Sequence, residues 1–311
     1  MTATLRMIAE VSLTYAPDYI AGDLGYFKDE GLDLITDFDS GPGGSWLADT
    51  LATGKADIAR GGIWIPLMNR GVLEPVYPFA MLCDRNSQLL LSREPIENCT
   101  WEHLYGKRVL ISSGATSQWM FLRGVLDEAG VDRKRIRFVR DLHSDTTVRL
   151  WRGGYADFFL ASPPMTEVLI REGYSVALSM ADAGGRVPWS IYYTSREILE
   201  SPEQPVHRFL RAIVRGKKWI RSHTAVEAAE LLHRHFSNFS IEVIAAAIAR
   251  MNAADTWTTR VSIPREPTMR YQDLMVNYGL IDERMPFEKL VHDSIATDID
   301  AENHTREANL D

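Results

Sequence analysis

Arg60 closes the apolar run ADIAR (56–60) and is followed by Gly61 and Gly62. A guanidinium does not shed its charge and is costly to bury alone, so at the end of a strand it calls for a carboxylate of the protein or of a ligand. Asp49 and Asp57 are the protein partners nearest in sequence. Two further stretches ask for an anion. DSGPGGSW (39–46) and SGATSQ (113–118) each run from a strand-like segment into a helix-like one. Gly43, Gly44 and Ser45 in the first, and Ala115, Thr116 and Ser117 in the second, would turn backbone N–H groups and hydroxyls toward a carboxylate, sulfonate or phosphate. The same residue types also make plain turns and helix caps.

Around these loops stand Trp64, Trp119 and Trp189, which suit the walls of a flat or apolar ligand and equally suit a core. His143 in RDLHSDT can move a proton near neutral pH, or serve as a surface polar group. Ser12, Tyr15 and Ser162 complete the set expected at strand ends. Signatures of known chemistry are missing: no G-x-S-x-G, H-E-x-x-H, G-x-x-x-x-G-K-[ST] or G-x-G-x-x-G occurs where it would act. HRH (233–235) places its imidazoles two apart on a helix, on different faces, which makes a poor metal site. RGKKWIR (215–221) reads as a solvated helix face.

The elements that must position these residues repeat. Segments 5–11, 32–38 and 56–60 read as strands, with helices over 16–30, 44–53 and 63–70. The order returns with strands over 107–112, 135–140 and 155–161 and helices over 116–129, 145–152 and 164–172. DEGLD (29–33) matches DEAGVD (127–132), and GKAD (54–57) matches GGYAD (153–157). Two β-α-β units imply two α/β lobes with loops at the carboxyl ends of parallel strands, where open sheets bind ligands. QLLLSRE (88–94) and WSIYYTSRE (189–197) flank the second unit and read as two strands crossing between the lobes. Lobe 1 is expected over 1–89 and 193–293, lobe 2 over 90–192. Amphipathic helices over 206–223, 225–236, 241–251 and 268–281 are expected to close the first lobe. The polar, acidic stretch 294–311 reads as a flexible tail.

YIAGDLGYFKDEGLDL, LATGKADIA, LYGKRVLISSGATSQ, GGYADFFLASPPMTEVL and MRYQDLMVNYGLIDERMPFEKLV, taken in this order over roughly 5–290, resemble the NMT1/THI5-like solute-binding proteins. That group includes sulfonate, taurine and pyrimidine receptors of ABC importers. The resemblance implies a type II periplasmic-binding-protein-like α/β fold, two-lobed, closing by hinge motion on a ligand, with an ABC permease as partner. It also extends to cytosolic enzymes on the same fold. The lysine and histidine of the fungal pyrimidine synthase fall here at Gly61 and Ile65, and its cysteine-rich motif is missing. RGGIWIPL (60–67) resembles the aromatic sulfinate desulfinase, yet that family's nucleophilic cysteine falls at Ser12 and its histidine near Asp49.

A net charge of −8 supplies no general basic surface, which argues against nucleic acid and anionic membranes as partners. With 45% hydrophobic and 24% charged residues the chain can build a proper core. Its two cysteines, Cys83 and Cys99, make neither a disulfide framework nor a metal spacing. The start MTATLRMIAEVSLTYAP shows no signal peptide, so a cytoplasmic location is expected, or a periplasmic one if this is a mature form. The expected function is binding of a small anionic or aromatic ligand, with no cofactor or metal. The rival is a cytosolic cofactor-independent lyase or hydrolase using Ser12 and His143 on a small aromatic acid.

Overall fold

The computed structural model describes residues 3–38, 46–73, 75–111 and 116–308. The chain divides into two compact units. Unit 1 comprises Met1–Asp84, Val187–Phe236 and Trp257–Asp311, and unit 2 comprises Arg85–Arg186 and Ser237–Thr256.

Unit 1 holds a five-stranded sheet of β1 (Ala3–Ile8), β2 (Leu32–Asp37), β3 (Ile58–Gly61), β4 (Tyr77–Cys83) and β10 (Ser190–Thr194), in the order β2-β1-β3-β10-β4. β1 pairs in parallel with β2 and β3, while β10 lies antiparallel between β3 and β4. β10 and β3 are buried throughout, which is why SIYYT and IARG read as continuous runs rather than alternating ones. The helix expected over 16–30 is broken into Ala16–Asp23 and Tyr26–Asp29 because Gly25 takes φ +74°, the left-handed region that glycine enters without strain.

β4 is an edge strand, yet its residues after Tyr77 are buried. Its free groups are taken by other segments: Met81 N–H donates to the Val261 carbonyl (2.7 Å), and His292 N–H donates to that of Pro78 (2.8 Å). The stretch read as a flexible tail is part of this cover. Ser294–Ala308 is a helix that packs against β4 and the helix Pro205–Ser222, with Ala296, Ile299 and Asp300 buried. Two apolar positions and one buried carboxylate anchor it, too few to show as an amphipathic stripe.

Unit 2 repeats the architecture with β5 (Leu89–Ser92), β6 (Arg108–Ile111), β7 (Arg137–Val139), β8 (Phe158–Ala161) and β9 (Ser175–Ser179), in the order β7-β6-β8-β5-β9. β6 pairs in parallel with β7 and β8, and β5 lies antiparallel between β8 and β9. The segments read as strands crossing between lobes thus sit one in each sheet, β5 in the second and β10 in the first. The helix Ile241–Ala253, expected to close the first lobe, belongs to unit 2. It packs on the helix Met165–Arg171, where Arg250 Nε meets the buried Glu167 carboxylate at 2.7 Å. Among the described residues no helix is long and apolar enough to cross a membrane.

Candidate functional site

In unit 1 the carboxyl ends of β1, β3 and β4 and the amino end of β10 share one end of the sheet. Arg60 leaves β3 there fully buried and ion-paired to Asp18, in the first turn of the helix Ala16–Asp23. Tyr192 on β10 donates its hydroxyl to the other Asp18 oxygen. Arg60 Nη2 donates to the Glu10 carbonyl at 2.9 Å, and the guanidinium carbon lies 3.7 Å from the centre of the Tyr15 ring. Burial opposes the Arg60 charge, but Asp18 and the surrounding tyrosines outweigh it and push the pKa up. The carboxylate that Arg60 requires is therefore Asp18. Neither nearby alternative takes it: Asp57 pairs with Arg6 (3.3 Å), and Asp49 sits in the first turn of the helix Trp46–Ala52.

This arrangement holds the loop that follows β1. Arg60 grips it at Glu10, and Trp257 Nε1 donates to the Thr14 carbonyl at 2.7 Å. Ser12 Oγ accepts from Thr14 N–H at 3.3 Å, as an N-cap should, and Tyr15 is buried under the guanidinium. Gly61 and Gly62 have a packing reason. A Cβ on Gly61 would stand 2.8 Å from Ile65 and 3.0 Å from the Tyr193 hydroxyl, and one on Gly62 would stand 2.4 Å from the Trp64 ring. Trp64 is accordingly buried, whereas Trp189 is half-buried, its backbone N–H donating to the Cys83 carbonyl at 3.1 Å.

In unit 2 the corresponding end carries Thr116 and Ser117, half-buried at the start of the helix Thr116–Glu128, and Ser162 just after β8. Ser162 Oγ accepts from Gln88 Nε2 at 3.2 Å; Gln88 and its neighbour Asn86 are buried. His143 caps nothing with its ring. It precedes the helix Ser144–Arg152 with its side chain 79% exposed, and its ionic neighbour is Asp145 at 4.0 Å. Trp119 packs edge-on against Phe138 with Arg140 over its ring. Gly43, Gly44, Ser45 and Ala115 lie outside the described residues.

Sequence reasoning did not find Asp18, Tyr192, Gln88 or Asn86. Asp18 is an ordinary first-turn acid in its local pattern, and only the pairing of β3 with β10 brings Tyr192 to it. Gln88 was within reach: an amide directly before an apolar strand is a candidate for the strand end, but its partner Ser162 is 74 residues away. Among the described residues no group of three or more His, Cys, Asp or Glu is placed to hold a metal ion.

The candidate binding protein YtlA of Bacillus subtilis (strain 168) is 25% identical over 307 residues, covering 97% of this chain and 91% of YtlA. The structure of the periplasmic aliphatic sulphonate binding protein SsuA from Escherichia coli superposes with a TM-score of 0.76 at 16% identity, over 96% of this chain and 100% of SsuA. The desulfurization enzyme DSZB, in a mutant complex with biphenyl-2-sulfinic acid, gives a TM-score of 0.68 at 14% identity, over 96% of this chain and 99% of DSZB. These likenesses bear out the α/β fold built from two five-stranded sheets. Residues 13–225, more than half of the chain, match the family described as NMT1/THI5 like. The chain belongs to the NMT1/THI5-like family.

Proposed function

We propose that this protein is a solute-binding protein for a small anionic or aromatic compound, a sulfonate, carboxylate or heteroaromatic acid, held at the strand ends of its sheets. The observation that carries the reading is the gathering of the described candidate residues at one end of each sheet: Ser12, Tyr15 and Trp189 in unit 1, and Thr116, Ser117 and Ser162 in unit 2. Ligands of open α/β sheets take that end. Arg60 enters the reading as the group that fixes the Ser12–Tyr15 loop, its charge being neutralised by Asp18. An anion would then rest on hydroxyls and backbone dipoles. The binding-protein relatives YtlA and SsuA support the reading, SsuA supports a periplasmic setting, and an ABC permease is the protein partner such a role requires.

The test is thermal unfolding against a panel of sulfonates, aromatic acids, nucleobases and pyrimidines, each binder being recovered after overnight incubation. A compound that raises Tm with its concentration and returns unchanged is the expected result. A flat panel overturns the reading. A compound that binds and is consumed replaces it with the lyase or hydrolase reading that the likeness to DSZB favours. Against that rival, Ser12 Oγ is occupied in capping Thr14, and among the described residues His143 has no hydrogen-bonded nucleophile beside it.

A further inference from the structure

We infer that Ser162 is a fixed hydrogen-bond donor at the end of the unit 2 sheet, oriented by Gln88 and Asn86, and that it selects ligands carrying an acceptor such as a sulfonate or carboxylate oxygen. The ligand half of this statement rests on the solute-binding reading; the orientation of the hydroxyl does not.

The register sets the pair up. Leu89 stands opposite Ala161 in the antiparallel β5–β8 ladder, so the next positions outward are Gln88 and Ser162. The direction of the bonds then follows from one group that cannot be turned around. The backbone N–H of Gln88 can only donate, and it meets Asn86 Oδ1 at 2.9 Å. Asn86 must therefore present its Nδ2 on the other side, where Gln88 Oε1 accepts at 3.2 Å. Gln88 must in turn present Nε2 to Ser162 Oγ, at 3.2 Å. Turning either amide over would bring two donors or two acceptors face to face.

Ser162 is thus the acceptor of its one internal side-chain bond, and its own proton is directed away from Gln88. Among the described residues its Oγ has no other hydrogen-bond partner. Asn86 and Gln88 are 0% and 2% exposed, while Ser162 is half-buried, so the relay runs from the interior to the strand end. Buried amides are costly unless bonded, and a relay satisfied at every link is rigid. Its last member is a hydroxyl donor pre-oriented toward an acceptor. Asn86 and Gln88 are positioning residues.

The orientation is tested by neutron diffraction from deuterium-exchanged crystals of the ligand-free protein. The expected map places the Ser162 deuteron away from Gln88 and the Gln88 Nε2 deuterons toward Ser162. A deuteron on the line from Ser162 Oγ to Gln88 overturns the inference. Selectivity is tested by calorimetry with methanesulfonate and benzenesulfonate, after a circular-dichroism check of folding. Ser162→Ala should weaken binding roughly tenfold or more, the size of a hydrogen bond to a charged group. Asn86→Asp should do the same from a distance. Its carboxylate still accepts from Gln88 N–H, but its second oxygen demands Gln88 Nε2, so the Gln88 amide turns over and draws the Ser162 proton inward. Unchanged affinity in Ser162→Ala overturns the selectivity and leaves sulfonate binding by the wild type standing. No binding by the wild type overturns the solute-binding reading and the selectivity together, and the neutron map still decides the orientation. Should Asn86→Asp not fold, Ser162→Ala and the map carry the test.

Discussion

Arg60 and Asp18 are both buried, and among the described residues neither has another full charge hydrogen-bonded to it. Removing one partner of such a pair strands the other, at a typical cost of about 3–5 kcal/mol. Arg60→Met should therefore lower the unfolding free energy read from urea titration by an amount on that scale, and Asp18→Asn should cost less, since the amide oxygen can still accept from Arg60 while its Nδ2 donates to the Tyr192 hydroxyl oxygen. A second buried pair governs the alkaline range. Lys217 is fully buried, with Nζ donating to the carbonyls of Met81 (3.2 Å) and Arg260 (2.6 Å), and burial pulls its pKa down to about 8. Burial pushes the nearby Cys83 thiol up to about 12. Between pH 8 and 10 the unfolded chain holds more protons on Lys217 than the folded one, so that group makes stability rise with pH. Above pH 9 the unfolded chain holds fewer on Cys83, so that group makes it fall. Relative to wild type, Lys217→Met should lose stability and Cys83→Ala should gain it as pH rises from 8 to 10, by roughly 1–3 kcal/mol at 1.36 kcal/mol per unit. Parallel changes in all three proteins, read by denaturant titration at each pH, would exclude this. That Arg60 needs a carboxylate was legible from its place after ADIA. That the carboxylate is Asp18 was not, because 42 residues of chain separate them and only the fold closes the distance.

Strands β1, β2, β3, β6, β7 and β8 were legible because each carries a short apolar run bounded by turn residues, and the run recurs in the second unit. The C-terminal helix was not. Ser294–Ala308 contributes Ala296, Ile299 and Asp300 to the interior, and the third of these is a carboxylate that a hydropathy pattern counts as surface. Its work is local and specific. Asp300 Oδ1 accepts from Val261 N–H (2.9 Å) and Oδ2 from Ser262 N–H (3.0 Å), while Met81 on edge strand β4 donates to the Val261 carbonyl. The helix thus fixes the segment that seals β4. Asp300→Ala leaves two backbone donors without their acceptor and should cost about 2–3 kcal/mol; Asp300→Asn keeps one acceptor and should cost about half as much. Hydrogen exchange gives a sharper reading, since protection should fall at Val261, Ser262 and Met81 together. Loss confined to the helix itself would show that it merely rests on the surface.

Each unit draws on distant parts of the chain, and this determines which pieces can fold alone. Unit 2 is Arg85–Arg186 with Ser237–Thr256, and the late segment supplies Val243, Ile244, Ala247, Ile248 and Met251 as buried residues. It also supplies Arg250 to the buried carboxylate of Glu167, and a carbonyl at Glu242 that accepts from Arg171 (3.2 Å). Periodicity identifies 241–251 as a helix with one apolar face, but says nothing of which sheet that face covers. Proximity in sequence favoured the first lobe, and the carboxylate awaiting a cation on Met165–Arg171 decides for the second. A fragment of residues 85–186 therefore lacks part of its cover and leaves Glu167 without its guanidinium. It should give a poorly dispersed amide spectrum and no cooperative unfolding. Joining 237–256 to it through a Gly/Ser linker should restore dispersion and a single transition, and Arg250→Met in the joined fragment should lower its Tm. A fragment 85–186 that unfolds cooperatively by itself would mean that the helix Ile241–Ala253 is an accessory to a core already complete.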